Sequence, residues 1–201
     1  MAKYDAELWA DRYSSRSDMS LYLTHLTKGR DDMNELDVLV KILNDGKLIG
    51  SGKDGFISGP DRAVCFQDVP IQSVVQNLTH EEKNREKTNS KVRYTGAGLM
   101  IPKPYAFKRG ARPVIYETKE DANLFNNVKW RVVTLQLDRK AGLIDWTHER
   151  EGRVKGDLEF SLDKAIVLLP SASSYREFVR RVDPKVQEKI SGIMLLNRLL
   201  H

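Results

Sequence analysis

Glu149 and Glu151 stand one residue apart in the stretch Thr147-His148-Glu149-Arg150-Glu151-Gly152-Arg153. Residues i and i+2 of an extended strand point the same way. A β-reading of this stretch therefore aims both carboxylates, with Arg153 next along, at one site. Carboxylates that close raise each other's proton affinity, which suits general acid–base work. Two further groups carry usable chemistry. Thr24, His25 and Thr27 lie at the end of the alternating segment Leu21–Leu26, and Arg62 and Phe66 flank the apolar run Ala63–Cys65.

Other chemistries fit these residues less well. Cys65 is the only cysteine, and no base stands at a spacing that nominates it as a nucleophile; it reads as a small buried hydrophobe. Gly50, Gly52, Gly55 and Gly59 match neither GxxxxGK[ST] nor GxGxxG, so a phosphate-binding loop of either kind is not expected. His80 and His148 are too scattered to suggest zinc. Asp145, Glu149 and Glu151 are carboxylates that could hold Mg²⁺, with Lys155 nearby. A nuclease of the PD-(D/E)xK type, however, wants Lys where Arg153 stands and an acidic residue further upstream.

The elements that must position these groups follow from periodicity. Leu21–Leu26 reads as a strand and Asn34–Asn44 as a helix, with Leu36, Leu39, Val40 and Leu43 at helical spacing and Gly46 as its C-terminal cap. Ala63–Phe66 reads as a short strand. A helix is expected to open at Ile71, and 80–91 is a charged loop or exposed helix. Gly98–Ile101, Pro113–Tyr116, Trp130–Leu137 and Ala165–Leu169 read as strands, with Glu120–Lys129 helical. Two helices close the chain, Tyr175–Val182 and Pro184–Leu200, the second with Val186, Ile190, Ile193, Met194 and Leu196 on its apolar face. The order lacks βαβ alternation. It predicts an α+β domain over 21–201 preceded by a lead-in over residues 1–20.

Composition narrows the setting. The 201 residues suffice for one core. A single cysteine suits a reducing compartment, and neither an apolar leader nor a membrane-spanning run is visible, so a cytoplasmic protein is expected. The net charge of +5 favours acidic partners. Two basic clusters, Lys103–Arg112 and Arg150–Lys155, could frame a cleft mouth.

Taken in order, Thr24-His25, the helix ending Ile42-Leu43-Asn44-Asp45-Gly46-Lys47-Leu48, Val64-Cys65-Phe66-Gln67-Asp68 and Glu149-Arg150-Glu151 resemble the ADP-ribosyltransferase fold. More closely, Leu23-Thr24-His25, Val64–Pro70, Gly110-Ala111-Arg112-Pro113-Val114-Ile115-Tyr116 and Trp146–Glu151 resemble the AbiGi-type proteins of bacterial phage defence, distant relatives of the DarT-like transferases. The resemblance spans about residues 21–169. One position departs from it: Gly152 stands where the family pattern leads one to expect Trp.

The resemblance implies a split mixed β-core with flanking helices and an NAD-dependent transferase, a toxin or phage-defence effector, with NAD as its substrate. Glu151 would stabilise the positive charge that develops on the ribose as nicotinamide leaves, and Glu149 would engage or deprotonate the acceptor. His25, flanked by Thr24 and Thr27, would donate a hydrogen bond to the adenosine ribose. Phe66 would stack on the nicotinamide, and Arg62 or Arg153 would neutralise the pyrophosphate. The implied acceptor is single-stranded DNA or RNA, and an antitoxin partner is compatible with this picture. The competing classes are a binding or antitoxin module on the same fold and the metal-dependent nuclease.

Overall fold

A computed structural model of the chain describes residues 3–30, 32–53, 56–88 and 92–199. Its elements run α1 (Ala6–Ser14), β1 (Tyr22–Leu26), α2 (Glu35–Asp45), β2 (Lys47–Leu48), β3 (Ala63–Phe66), α3 (Ile71–Lys83), β4 (Gly98–Pro102), α4 (Lys103–Lys108), β5 (Arg112–Pro113), β6 (Ile115–Glu117), β7 (Val132–Thr134), β8 (Gly152–Lys155), β9 (Leu158–Glu159), β10 (Ile166–Leu169), α5 (Ala172–Arg181), α6 (Pro184–Gln187) and β11 (Gly192–Leu195). The result is a mixed α/β protein of several small sheets. Among the described residues no helix is long and apolar enough to cross a membrane.

Two sheets frame the site. One has the order β1-β4-β10-β11 and the other β3-β8-β5. They are stitched together at a single bridge, where the Thr24 N–H donates to the Gln67 carbonyl at 3.0 Å and the Gln67 N–H to the Thr24 carbonyl at 2.8 Å. Glycine makes the first sheet possible at the site: a Cβ on Gly98 would lie 2.2 Å from the His25 carbonyl oxygen, so β4 can run beside His25 only without a side chain there.

The large sheet is covered on both faces. Asn34 caps α2 in a reciprocal capping box with Asp37, and Gly46 ends the helix at φ 58°. Its buried Leu36, Leu39 and Leu43 pack with Val167, Leu169 and Phe178. At about 1.5–3 kcal/mol for each fully buried large apolar side chain, this interface anchors α2 and α5 to β10. The opposite face carries Met100 and Leu168 against Val75 of α3. A third cluster joins the two sheets through Leu23, Val64, Phe66, Leu99, Ile101 and Val154. The lead-in α1 has no buried residue. It is held by Arg150, paired with Asp18 at 3.6 Å, and by Lys103, 4.5 Å above the Tyr13 ring.

Several expected elements change. Pro113–Tyr116 is not one strand: β5 pairs with β8 and β6 with β7. Trp130 and Arg131 end a kinked 3₁₀ run begun at Asp121, so only 132–134 is strand there. The expected last helix stops at Gln187. After Ser191-Gly192 the chain turns extended, and Ile193, Met194 and Leu195 lie parallel to β10. Glu149 is not in a strand either. It ends a single 3₁₀ turn, Thr147–Glu149, and β8 starts at Gly152. The expected charged segment 80–91 splits into the end of α3 and a 3₁₀ turn at Arg85–Thr88; its last residues, 89–91, lie outside the described ones.

Candidate active site

A cleft of about 770 Å³ opens along the seam between the two sheets. Thr24, His25, Thr27, Phe66, Glu149, Glu151 and Arg153, far apart in sequence, all line it. Arg62 does not. Its Nε donates to the Gly50 carbonyl at 2.8 Å, which ties it to the loop beneath the wall instead of to the cleft.

Glu151 precedes β8 and is 6% exposed; Arg153 is 3% exposed. Nε and Nη2 of Arg153 donate to the two Glu151 oxygens at 2.7 and 3.1 Å, and Nη1 donates to the Trp130 carbonyl at 2.7 Å. The alternation expected for residues 151 and 153 is therefore present, but the two side chains face one another. The fork is spent on the carboxylate and a backbone carbonyl, so Arg153 is not the expected pyrophosphate ligand. It holds the Glu151 carboxylate in one orientation.

Glu149 reaches the cleft by a different route. Arg150 adopts the left-handed conformation, φ 45° and ψ 46°, and turns the chain between the two acids. Burial, then the neighbouring Glu151 charge, lifts the Glu149 carboxyl to about 7. The Tyr94 hydroxyl faces it without a well-formed hydrogen bond. The paired acids thus differ in kind: one is locked in an ion pair, the other poised to exchange a proton near neutrality.

His25 donates from Nδ1 to the Cys65 carbonyl at 2.8 Å, because a carbonyl oxygen can only accept. Burial lowers its pKa, so the ring is neutral and Nε2 is left as an acceptor. His25 can therefore accept from a ligand hydroxyl, the reverse of the expected donation. Phe66 is 2% exposed, packed in the core beside Val64 with its ring at 62° to His25. Its exposed surface at the cleft is too small for the expected stacking on a ligand ring. Thr27 is likewise structural: its hydroxyl donates to the Ala97 carbonyl at 3.0 Å. The Thr24 hydroxyl is different. It and the Tyr94 hydroxyl are buried without a partner among the described residues, and both residues line this cleft. An unpaired buried hydroxyl costs about 1–3 kcal/mol, a cost a bound ligand would relieve.

Several lining residues were not singled out from the sequence. Lys28, Arg30 and Lys53 are exposed on the wall and make no ion pair among the described residues. Arg93 sits 4.1 Å from the centre of the Trp146 ring and pairs with Glu81 at 3.4 Å. The signals were faint: Lys28-Gly29-Arg30 directly follows the site strand, and Lys53 lies in the glycine loop. The expected basic clusters are partly paired at home, while Arg109 and Arg112 lie over the Tyr105 and Phe107 rings. Lys103 pairs with Asp68, Arg150 with Asp18 and Lys155 with Asp61.

Register separates the two kinds of charge. Thr24 faces Gln67 in an antiparallel bridge, and Ser51 faces Ala63. Lys28, Arg30 and Lys53 therefore lie toward the start of β3, and Glu149, whose carbonyl accepts from the Asp68 N–H, toward its end. Four residues of strand separate these levels by roughly 13 Å. Of the carboxylates of the nuclease reading, Asp145 is engaged locally: it accepts from the Thr147 N–H and hydroxyl. No group of three or more potential metal ligands converges among the described residues.

No protein-family model, curated protein or solved structure matches this chain. The functional reading accordingly rests on the cleft and on the motif resemblance.

Proposed function

We propose that this chain is an NAD-dependent ADP-ribosyltransferase on an ADP-ribosyltransferase-like fold, acting as a toxin or phage-defence effector. The observation that carries this reading is the polarity of the cleft. A fixed carboxylate and a titratable one lie at one end, and cations without an ion pair among the described residues lie at a level about four strand residues, roughly 13 Å, along β3. That charge pattern suits a dinucleotide. Its pyrophosphate meets Lys28, Arg30 and Lys53, and its reacting ribose meets Glu151. His25 Nε2 accepts from a ribose hydroxyl.

In this reading the glycosidic bond between ribose C1′ and the nicotinamide nitrogen breaks, and nicotinamide leaves with the bonding electrons. Glu151 stabilises the positive charge developing on the ribose. Glu149 takes the proton from the acceptor as the acceptor bonds to C1′. The acceptor is a single-stranded nucleic acid. The Trp146 ring, backed by the Arg93 guanidinium beside Glu149, supports this, since aromatic and guanidinium planes stack bases.

The test is mass spectrometry of single-stranded DNA, RNA and protein after incubation with NAD, using wild type and Glu151→Gln. Wild type should add ADP-ribose to nucleic acid, and Glu151→Gln should lose on the order of 10²-fold or more of the rate. ADP-ribose found only on protein would replace the acceptor. NAD bound but never cleaved would leave the binding-module reading standing.

A further inference from the structure

The turn that carries both acids is gripped from outside by one side chain. Tyr116 lies on β6, in a different sheet from β8. Its hydroxyl accepts from the Glu151 N–H at 2.9 Å and donates to the Trp146 carbonyl at 3.1 Å. One phenol thereby closes both ends of the segment Trp146–Glu151. The same β5–β6 stretch takes the other polar group of the Glu151 backbone, whose carbonyl accepts from the Val114 N–H at 2.9 Å. Inside the segment, Arg150 is held left-handed, a conformation that costs a non-glycine residue about 1–2 kcal/mol and persists only where its surroundings enforce it.

We propose that Tyr116 is the positioning residue of the acidic turn: its hydroxyl holds Glu149 and Glu151 at the cleft in their working arrangement, without touching substrate. This rests on the transferase reading for its kinetic consequence and on geometry alone for its structural one. Tyr116 makes no other hydrogen bond through its hydroxyl among the described residues, and it is not among the cleft-lining residues. Loss of the hydroxyl leaves the Glu151 amide unpaired and frees the turn to relax. Relaxation admits water to Glu149, which is faced by Glu151, Tyr94, Glu81 and Arg93 and also lies near Tyr116 and Cys65. Its proton affinity should then fall toward that of an ordinary carboxyl.

The experiment compares Tyr116→Phe with wild type in two ways. The first is NAD turnover with its pH profile. The expected result is a kcat about tenfold to hundredfold lower, as a small displacement of reacting groups produces, with KM for NAD nearly unchanged. The acid limb of the profile should move to lower pH. The second is a ¹³C titration of the Glu149 carboxyl in ligand-free protein, where the midpoint should move down. Wild-type kcat and an unmoved Glu149 titration in folded Tyr116→Phe would overturn the proposal. If wild type itself turns over no NAD, the transferase reading fails, while the Glu149 titration still decides the role of Tyr116. Should Tyr116→Phe not fold, ring-fluorinated tyrosine at position 116 nearly keeps the shape and changes the strength of both hydroxyl hydrogen bonds, as a better donor and a poorer acceptor. A kcat and a Glu149 midpoint that ignore fluorination would overturn the proposal equally.

Discussion

The two ends of the cleft are built by opposite means. At the acid end Glu151 and Arg153 are almost completely buried and paired through two hydrogen bonds. At the cation end Lys28, Arg30 and Lys53 stand exposed without ion pairs among the described residues. A buried ion pair leaves neither partner free to move without stranding the other, so the acid end trades adaptability for geometry. Exposed cations on flexible stems keep adaptability and supply mostly charge. Chemistry needs groups held to fractions of an ångström, whereas recognition of a pyrophosphate tolerates more play. Substitutions at the first end should therefore disturb the fold, and those at the second only affinity.

The largest effect should come from Arg153→Ala. It strands the Glu151 carboxylate in a buried site, and removing one partner of a buried pair costs about 3–5 kcal/mol. Denaturant unfolding checks this. Arg153→Lys keeps the charge but loses the fork, and should fall between. An unfolding midpoint unchanged in Arg153→Ala would show that the pair carries no structural weight and would erase the contrast between the two ends. The same pairing revises what Glu151→Gln must do. The amide still accepts from Arg153 but no longer neutralises it, so the variant should unfold earlier as well as lose activity. Its kinetics belong well below that midpoint, with circular dichroism confirming the fold.

Next in size is a stabilisation. The Glu149 carboxyl is lifted from 4.5 to about 7, chiefly by burial and then by Glu151. The folded protein keeps this proton up to about pH 7, whereas the unfolded chain loses it near 4.5. Between those values the folded state binds more protons, so stability falls as pH rises. Above pH 7 the full cost is present, on the order of 3 kcal/mol. Glu149→Gln has no charge to bury. It should raise the thermal midpoint at pH 8, leave it nearly unchanged at pH 4, and impair acceptor modification more than NAD hydrolysis. Equal thermal shifts at both pH values would mean that Glu149 titrates as an ordinary carboxyl.

The acid end was the more legible in sequence, and for a physical reason. Strand alternation has a fixed period, so Glu151 and Arg153 had to share a face, and motif order brought His25 to them. Which of the pair would face the ligand was not legible, because a bidentate ion pair and two ligand contacts leave the same spacing. Phe66 shows the converse: its alternation with Val64 placed both in the core, and that period outweighed the stacking role suggested by resemblance. Glu149 was legible as a residue but not as geometry, since a left-handed Arg150 leaves no composition signal. The final segment misled because Ile193 and Leu195 fit a strand as well as Ile190, Ile193 and Met194 fit a helix, and Ser191-Gly192 decides between them. The cation end was illegible. Loop lysines and arginines follow no period, and only the Thr24–Gln67 and Ser51–Ala63 bridges bring Lys28, Arg30 and Lys53 to one wall.

The smallest expected effect is at those cations, and it sharpens the comparison most. Each is solvent-exposed, so alanine substitution should leave the unfolding midpoint within the usual range for surface changes, about 0.5 kcal/mol. A charge-assisted hydrogen bond to phosphate is worth about 1.5–3 kcal/mol at best, and exposure reduces this. Each of Lys28→Ala, Arg30→Ala and Lys53→Ala should therefore weaken NAD binding by at most about tenfold and leave kcat unchanged. Salt supplies the decisive readout. Screening at about 0.15 M acts over roughly 8 Å, so wild-type NAD affinity should fall as salt rises, and the triple alanine variant should lose most of that dependence. Calorimetric titration of NAD at low and moderate salt measures both. A triple variant that binds NAD as tightly and with the same salt dependence as wild type would place the pyrophosphate elsewhere on the wall. One that loses kcat while retaining affinity would mean that the cation end, too, shapes the chemistry.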